Sequence, residues 1–163
     1  MNIKPILIVP GETKSIFFEI FFKALKFKNY KSPIIVICNF NQLKTQFKRF
    51  NFKRRYEILD LKVIENKKLN TKTIYIIDMK VDHSKIYIQN CFEIAFKLIK
   101  RGFSNKLLNG PINKKRTLNK KYLGVTEYIA DKFNKKKIGM LIYNENLSDS
   151  PLTTHLPLKL VYK

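Results

Sequence analysis

The run Pro33-Ile-Ile-Val-Ile-Cys38 is the stretch that decides the fold class of this chain. It is apolar throughout after the proline and rich in β-branched side chains, with no polar residue alternating. Such a continuous run is typical of a parallel strand that is covered on both faces, whereas a half-exposed strand alternates between apolar and polar residues. The run therefore predicts a central strand in an α/β sheet.

Strand and helix patterns alternate on both sides of this run. Further strands are predicted at 3–9, 56–65, 73–77, 106–109 and 137–143. Helices are predicted at 13–27, from a cap at Asn39 or Asn41 to about 50, from Ser84 to 101, at 118–122 and at 127–133, with Thr126 as the cap of the last. Gly102 follows the long helix where a left-handed C-terminal cap belongs. Alternation of this kind predicts an α/β/α sandwich with a mixed, mostly parallel sheet.

Length and composition point to a compact cytoplasmic protein. The chain has 163 residues, of which 45% are hydrophobic and 28% charged, so it can bury a core and is not disordered. Its longest apolar runs are strand-sized, and the N-terminus lacks the cleavage region of a signal peptide. Cys38 and Cys91 lie in apolar periodic segments, which favours reduced core thiols over a disulfide.

The formal net charge of +21 raises the question of nucleic-acid binding. The segment 47–56, Phe-Lys-Arg-Phe-Asn-Phe-Lys-Arg-Arg-Tyr, interleaves cations with aromatic rings that could stack on bases. Helical spacing offers a simpler interpretation, with Phe47 and Phe50 turned inward and Lys48 and Arg49 outward. We favour the helical interpretation and keep a basic nucleic-acid-binding module as an alternative.

Polar, turn-forming segments interrupt the apolar patterns of the last third of the chain. They are Asn109-Gly-Pro-Ile-Asn-Lys114, Gly124-Val-Thr-Glu127 and Leu152-Thr-Thr-His-Leu-Pro-Leu158. Loops that follow strand ends are where α/β proteins bind ligands. The first segment could present backbone N–H groups and an ammonium to an anion. The residues alone thus predict an α/β enzyme-like domain with an anion site.

The same three segments, in this order and at these separations, resemble the 4-hydroxythreonine-4-phosphate dehydrogenase family of pyridoxal phosphate biosynthesis. The turn Pro10-Gly11-Glu12 and the helix after it also resemble the opening of that family. The resemblance spans the chain but only the first half of a family member. It implies a truncated version of the two-domain isocitrate/isopropylmalate dehydrogenase-like fold, with a first domain at about 1–105 and an incomplete second domain at 106–163.

The resemblance also implies a reaction, cofactors and site residues. The reaction would be NAD-dependent, metal-dependent oxidation and decarboxylation of 4-phosphohydroxy-L-threonine to 3-amino-2-oxopropyl phosphate. His155 matches the first of three histidines that hold a divalent metal (Zn, Mg or Co), and Thr126 matches a threonine that contacts substrate. Asn113 and Lys114 match the loop that lines the cleft. A homodimer of the full-length protein is implied as well.

Two departures qualify these expectations. Val125 stands where the family has a histidine that touches substrate, so a related dehydrogenase acting on another phosphorylated hydroxy acid is an alternative. The other two metal histidines of the family would lie beyond Lys163, and no catalytic residue is identified within the chain. Since one histidine does not hold a catalytic metal, we expect the 163-residue chain to be inactive alone.

Overall fold

A parallel five-stranded sheet forms the centre of the protein. The computed structural model describes residues 3–80, 86–118, 121–151 and 159. Its strands are β1 (Ile6–Val9), β2 (Ile34–Cys38), β3 (Arg55–Ile58), β4 (Thr73–Asp78) and β5 (Lys106–Asn109), in the spatial order β3-β4-β2-β1-β5. All four neighbouring pairs are parallel. The sequence predicted a mixed, mostly parallel sheet, and the described strands are all parallel; β2 has the bounds that the sequence predicted.

Helices cover both faces of this sheet. Among the described residues, the α-helices of the first unit are α1 (Phe17–Phe27), α2 (Phe40–Arg49), α3 (Tyr87–Lys100) and α4 (Lys114–Thr117), and that of the second unit is α5 (Val125–Lys132). One apolar cluster joins α1 and α2 to alternate sheet residues, Ile8, Ile34, Val36, Cys38, Ile74 and Ile76. The intervening residues, among them Leu7, Ile35 and Tyr75, are equally buried on the opposite face, where α3 packs against β1 and β2. The predicted α/β/α sandwich is confirmed.

Two capping predictions agree with the structure. The side-chain oxygen of Asn39 accepts a hydrogen bond from the Gln42 N–H at 3.1 Å and so caps α2. Gly102 has φ +76 after α3, and the Phe103 N–H donates to the Leu98 carbonyl at 3.0 Å, which completes a left-handed cap. Ser84, the predicted cap of α3, lies outside the described residues.

Several predicted bounds were wrong. The strand predicted at 56–65 ends at Ile58, and a turn and the 3₁₀ helix Ile64–Asn66 follow it. The short helix predicted at 118–122 lies earlier, at α4, and Gly124 rather than Thr126 is the N-cap residue of α5. Residues 137–143 form no strand; Ile142 makes one antiparallel bridge with Asp149.

The chain divides into two compact units, residues 1–123 and residues 124–163. Strand β5 pairs with β1 over Ile6↔Lys106 to Val9↔Asn109, so it belongs to the sheet of the first unit. The division into units falls after Leu123, and the domain boundary near 105 that the resemblance implies stays a prediction. That the two units correspond to two domains of a larger enzyme stays a prediction.

Candidate functional site

The candidate site lies at the carboxyl edge of the sheet, between the loops that follow β1 and β5. From β1 the chain passes to β2, which lies on one side of β1. After α3 it enters β5, which lies on the other side of β1. Loops that leave neighbouring strands in opposite directions open a crevice at such a switch point, and open α/β sheets bind ligands there. The segment 109–114, predicted to be an anion site, follows β5 and so lies at this edge.

The backbones of the two loops are in direct contact. The Gly110 N–H donates to the Val9 carbonyl at 2.8 Å, and the Glu12 N–H donates to the Pro111 carbonyl at 2.9 Å. A Cβ on Gly11 would lie 2.2 Å from the Pro111 oxygen, and Gly11 has φ +80. Only glycine fits this crossing, because the obstructing atoms are backbone and cannot move aside.

An ion pair joins the side chains of these loops. The Glu12 carboxylate accepts a hydrogen bond from the Asn113 N–H at 3.3 Å through Oε1. Its other oxygen, Oε2, pairs with the Arg116 guanidinium. The side chain of Glu12 is 24% exposed and that of Arg116 is 52% exposed. Sequence reasoning did not identify this pair, although a carboxylate directly after a strand-ending Pro-Gly was a signal that could have pointed to Glu12.

The structure places two of the predicted site residues together. Asn113 and Lys114 follow β5 in this loop, and both are exposed. The side-chain oxygen of Asn113 accepts from the Arg116 N–H at 3.1 Å, so it caps α4. Lys114, Lys115 and Arg116 then form one cationic turn. The turn has the charge that an anion site requires.

The other predicted site residues belong to the second unit or lie outside the described residues. Thr126 is exposed as the second residue of α5, in the second unit, and Val125 is the first residue of that helix. His155 lies outside the described residues, as does His83. Among 3–80, 86–118 and 121–151, no group of three or more histidine, cysteine or carboxylate side chains could hold a metal ion. These described residues therefore do not fit the implied metal by themselves.

Two buried thiols and a tyrosine lie near the carboxyl ends of β1 and β2. The Tyr87 hydroxyl accepts a hydrogen bond from the Asn39 N–H at 2.6 Å, which joins the start of α3 to the start of α2. Burial raises the pKa of Cys91 to about 12 and also raises the pKa of Cys38. Burial raises the pKa of Tyr87 as well. Both thiols are protonated at neutral pH, so this cluster offers no nucleophile.

The cleft at this cluster is narrow. Pro10, Gly11, Gln42 and Tyr87 are among the residues that line it, and it has room for about one water molecule. Of these two features of the carboxyl edge, the cationic turn at 114–116 has the charge that an anion needs and this cleft lacks the room.

Two aromatic residues of the segment 47–56, Phe47 and Phe52, are buried in the core and are not available for base stacking. Phe47 and Phe52 are each 8% exposed, and their rings stack with centroids 5.7 Å apart. Both also pack against Phe22 in the core between α1 and α2. The amphipathic interpretation, with Phe47 and Phe50 turned inward, agrees with the structure, since Phe50 is partly buried and also packs on Phe22.

No helix in the described part of the chain has the length and apolar character needed to cross a membrane.

Known proteins share this fold. The 4-hydroxythreonine-4-phosphate dehydrogenase of Klebsiella pneumoniae is 22% identical, with a TM-score of 0.74 over 96% of this chain and 52% of its own. The enzyme of the same name from Burkholderia phymatum is 18% identical, with a TM-score of 0.76 over 96% of this chain and 52% of its own. The chain thus spans about half the length of these solved structures. No curated protein sequence matches it.

The family assignment rests on a sequence match that covers most of the chain. Residues 19–163 match the family described as pyridoxal phosphate biosynthetic protein PdxA. The match includes the cationic turn after β5, the start of α5 and the segment that contains His155. The resemblance noted in the polar segments is thereby confirmed, and the chain belongs to the PdxA family of pyridoxal phosphate biosynthetic proteins.

Proposed function

We propose that this chain is the N-terminal half of an NAD-dependent, metal-dependent 4-hydroxythreonine-4-phosphate dehydrogenase of the cytoplasm. The enzyme would oxidise 4-phosphohydroxy-L-threonine and decarboxylate the product to 3-amino-2-oxopropyl phosphate. The observation that carries the proposal is the cationic turn 114–116, which follows β5 at the switch point of a sheet in a PdxA-family chain. A dianionic phosphate is the part of this substrate that such a turn suits.

Each candidate residue has a distinct part in this proposal. The Lys114 ammonium is exposed beside the crevice and would bind the phosphate end of the substrate. Asn113 would act by capping α4, which fixes the direction of the turn. Thr126 would donate its exposed hydroxyl to substrate from the start of α5. NAD, when bound, supplies the hydride acceptor.

The metal site is the part of the proposal that depends most on ligands from outside the described residues. His155 would be one ligand of a Zn, Mg or Co ion, and a catalytic zinc takes three protein ligands. Since the described residues hold no such cluster, the other ligands would come from the remainder of the complete protein. A homodimer of that complete protein belongs to the same proposal.

The test is NADH formation from 4-phosphohydroxythreonine, NAD and a divalent metal. We expect turnover by the complete protein and none by the 163-residue chain. A complete protein that forms no NADH with any of the three metals would remove the assignment. Turnover by the short chain would show instead that its own residues suffice for the site.

Val125 supports a second candidate, a related dehydrogenase that acts on another phosphorylated hydroxy acid. It is the first residue of α5 and only partly buried, so an apolar side chain stands beside Thr126 where the family has an imidazole. The two candidates are separated by kcat/KM for hydroxythreonine phosphate and for an erythronate-type phosphate. A preference of tenfold or more for the second substrate, about 1.4 kcal/mol, would favour this alternative.

A further inference from the structure

The Glu12 side chain holds both ends of the cationic turn. Its Oε1 accepts from the backbone N–H of Asn113, the residue that caps α4. Its Oε2 pairs with the guanidinium of Arg116, which lies 104 positions away in the sequence. The two oxygens thus link the β1 loop to the beginning and to the end of the turn.

Other contacts hold the C-terminal end of the turn, since Thr117 is buried and its carbonyl accepts a hydrogen bond from the Gln89 side chain, but the cationic residues before it are exposed. α4 is four residues long, and helices this short are marginal without tertiary contacts. Three of its residues are cations in succession, Lys114, Lys115 and Arg116, and they repel one another. The carboxylate of Glu12 neutralises one of these charges and ties the turn to the neighbouring loop.

Folding stability gives only part of the reason for such a pair. Ion pairs as exposed as this one contribute little to the free energy of unfolding. The two loops are already joined by backbone hydrogen bonds at Gly110 and Glu12. The further constraint that the Glu12 side chain adds is therefore on the orientation of the cationic turn.

We propose that Glu12 is a positioning residue for the substrate, acting through Arg116 and the backbone of Asn113 to orient the cationic turn toward the phosphate. This inference rests on the proposed function of the turn. Glu12 has two opposed effects on an anion at this place. The negative charge of Glu12 alone would weaken anion binding, whereas the order that Glu12 imposes on the turn strengthens it. The positioning role requires this second effect to be the larger one.

The variants Glu12→Ala and Glu12→Gln separate these effects. In the complete protein we expect Glu12→Ala to raise KM, and the Kd for 4-phosphohydroxythreonine and for inorganic phosphate, about tenfold. kcat should change no more than about twofold, because Glu12 does not touch the reacting atoms. Glu12→Gln retains an acceptor for the Asn113 N–H, so we expect a smaller rise of about threefold.

The matched control is Glu19→Gln on α1. Glu19 pairs with Lys23 at 2.7 Å on the helix surface, so this change removes an ion pair away from the turn and should leave KM and Kd unchanged. A purely structural role would lower the melting temperature of the Glu12 variants without moving KM or Kd, and a purely electrostatic role would lower both constants. Either result overturns the inference, as does a wild-type protein that binds neither ligand. If phosphate binding responds as expected but no NADH forms, the proposed function fails and the positioning role stands.

Discussion

Gly110 lies so close to Pro10 that a Cβ on the glycine would sit 1.9 Å from the proline carbonyl oxygen. The same Cβ would lie 2.7 Å from the Phe17 ring. The crossing of the β1 and β5 loops therefore depends on the absence of a side chain at Gly110. This contact brings the cationic turn next to Glu12.

We expect Gly110→Ala to lower the free energy of unfolding by about 2–4 kcal/mol, because the obstructing atom is backbone and must be displaced. Denaturant unfolding monitored by circular dichroism measures this change. Gly139→Ala is the matched control, since a Cβ there meets nothing within 4 Å, and we expect a change within about 0.5 kcal/mol. Equal effects of the two substitutions would contradict the close crossing.

The Asn39 cap gives a second prediction. Asn39→Ala removes the acceptor for the Gln42 N–H and the bond from Nδ2 to the Met79 carbonyl at 3.1 Å, which joins the ends of β2 and β4. We expect a loss of about 1–2 kcal/mol, measured by the same unfolding assay. Asn41→Ala, exposed in the first turn of the same helix, should cost less than about 0.5 kcal/mol. A cost at Asn41 as large as that at Asn39 would argue against the cap.

The core between α1 and α2 is centred on Phe22. Its ring is 2% exposed and stacks on Phe52 with centroids 4.5 Å apart. Phe22→Ala should lower the free energy of unfolding by about 3–5 kcal/mol, because the cavity left behind cannot fully collapse. Phe27→Ala, on the same helix but 92% exposed, should change it by less than about 0.5 kcal/mol. A small change in the free energy of unfolding for Phe22→Ala would mean that this cluster is not the main core.

Local sequence patterns predicted the centre of the sheet well, because the patterns there and the tertiary structure agree. The run at Ile34–Cys38 has no polar residue, and all of its positions are buried. A cap of α2 at Asn39 or Asn41 could be predicted for the same reason, because a helix cap involves only residues that are close in the sequence. The sequence thus predicted the sheet and the loop that carries Lys114.

The wrong secondary-structure predictions have two physical causes, which are long-range strand pairing and turn formation. The apolar run at 137–143 looks like a strand, yet Leu141 and Tyr143 are 65% and 72% exposed, and a strand needs a partner that local pattern does not reveal. The strand predicted at 56–65 is too long because the prediction did not include the turn at Asp60. Asp60 accepts from the Lys62 N–H at 2.9 Å through its side chain and ends the extended segment.

The ion pair of Glu12 with Arg116 was beyond sequence reasoning for another reason. Its members are 104 positions apart, so no local spacing relates them. That Asn113 lines the cleft stays a prediction, and its role as the cap of α4 was not predicted. The metal and substrate assignments of His155 and Thr126 stay predictions.

The buried thiols predict a dependence of stability on alkaline pH. An unfolded cysteine loses its proton near pH 9, whereas burial holds the pKa of folded Cys91 at about 12. Above pH 9 the unfolded state binds fewer protons than the folded state, so stability falls as pH rises, and below about pH 8 this thiol has no effect. We expect Cys91 to account for about 1 kcal/mol of the loss between pH 8 and pH 10.

The measurement compares the pH dependence of unfolding for the wild type and Cys91→Ala. The variant is less stable at every pH because it loses packing, but its slope above pH 9 should be shallower. Groups that do not interact with Cys91 cancel in the comparison, whereas Tyr87 and Cys38, which do interact with it, contribute to the difference together with the thiol. Identical slopes would show that the thiol is accessible to water, and so would rapid modification of the native protein by a thiol reagent.

Lys114 gives the prediction that bears most directly on the candidate site. In the complete protein we expect Lys114→Ala to raise KM for the phosphorylated substrate about tenfold or more, because an ammonium that faces a phosphate dianion is lost. Lys44→Ala is the matched control, since Lys44 is exposed on α2 and precedes β3 rather than following β5. It removes the same charge from the protein as a whole and should leave KM unchanged at moderate salt, where distant surface charges are screened. Steady-state rates at fixed ionic strength measure both variants, and a similar rise in KM for each would mean that the net charge of +21, and not this turn, attracts the substrate.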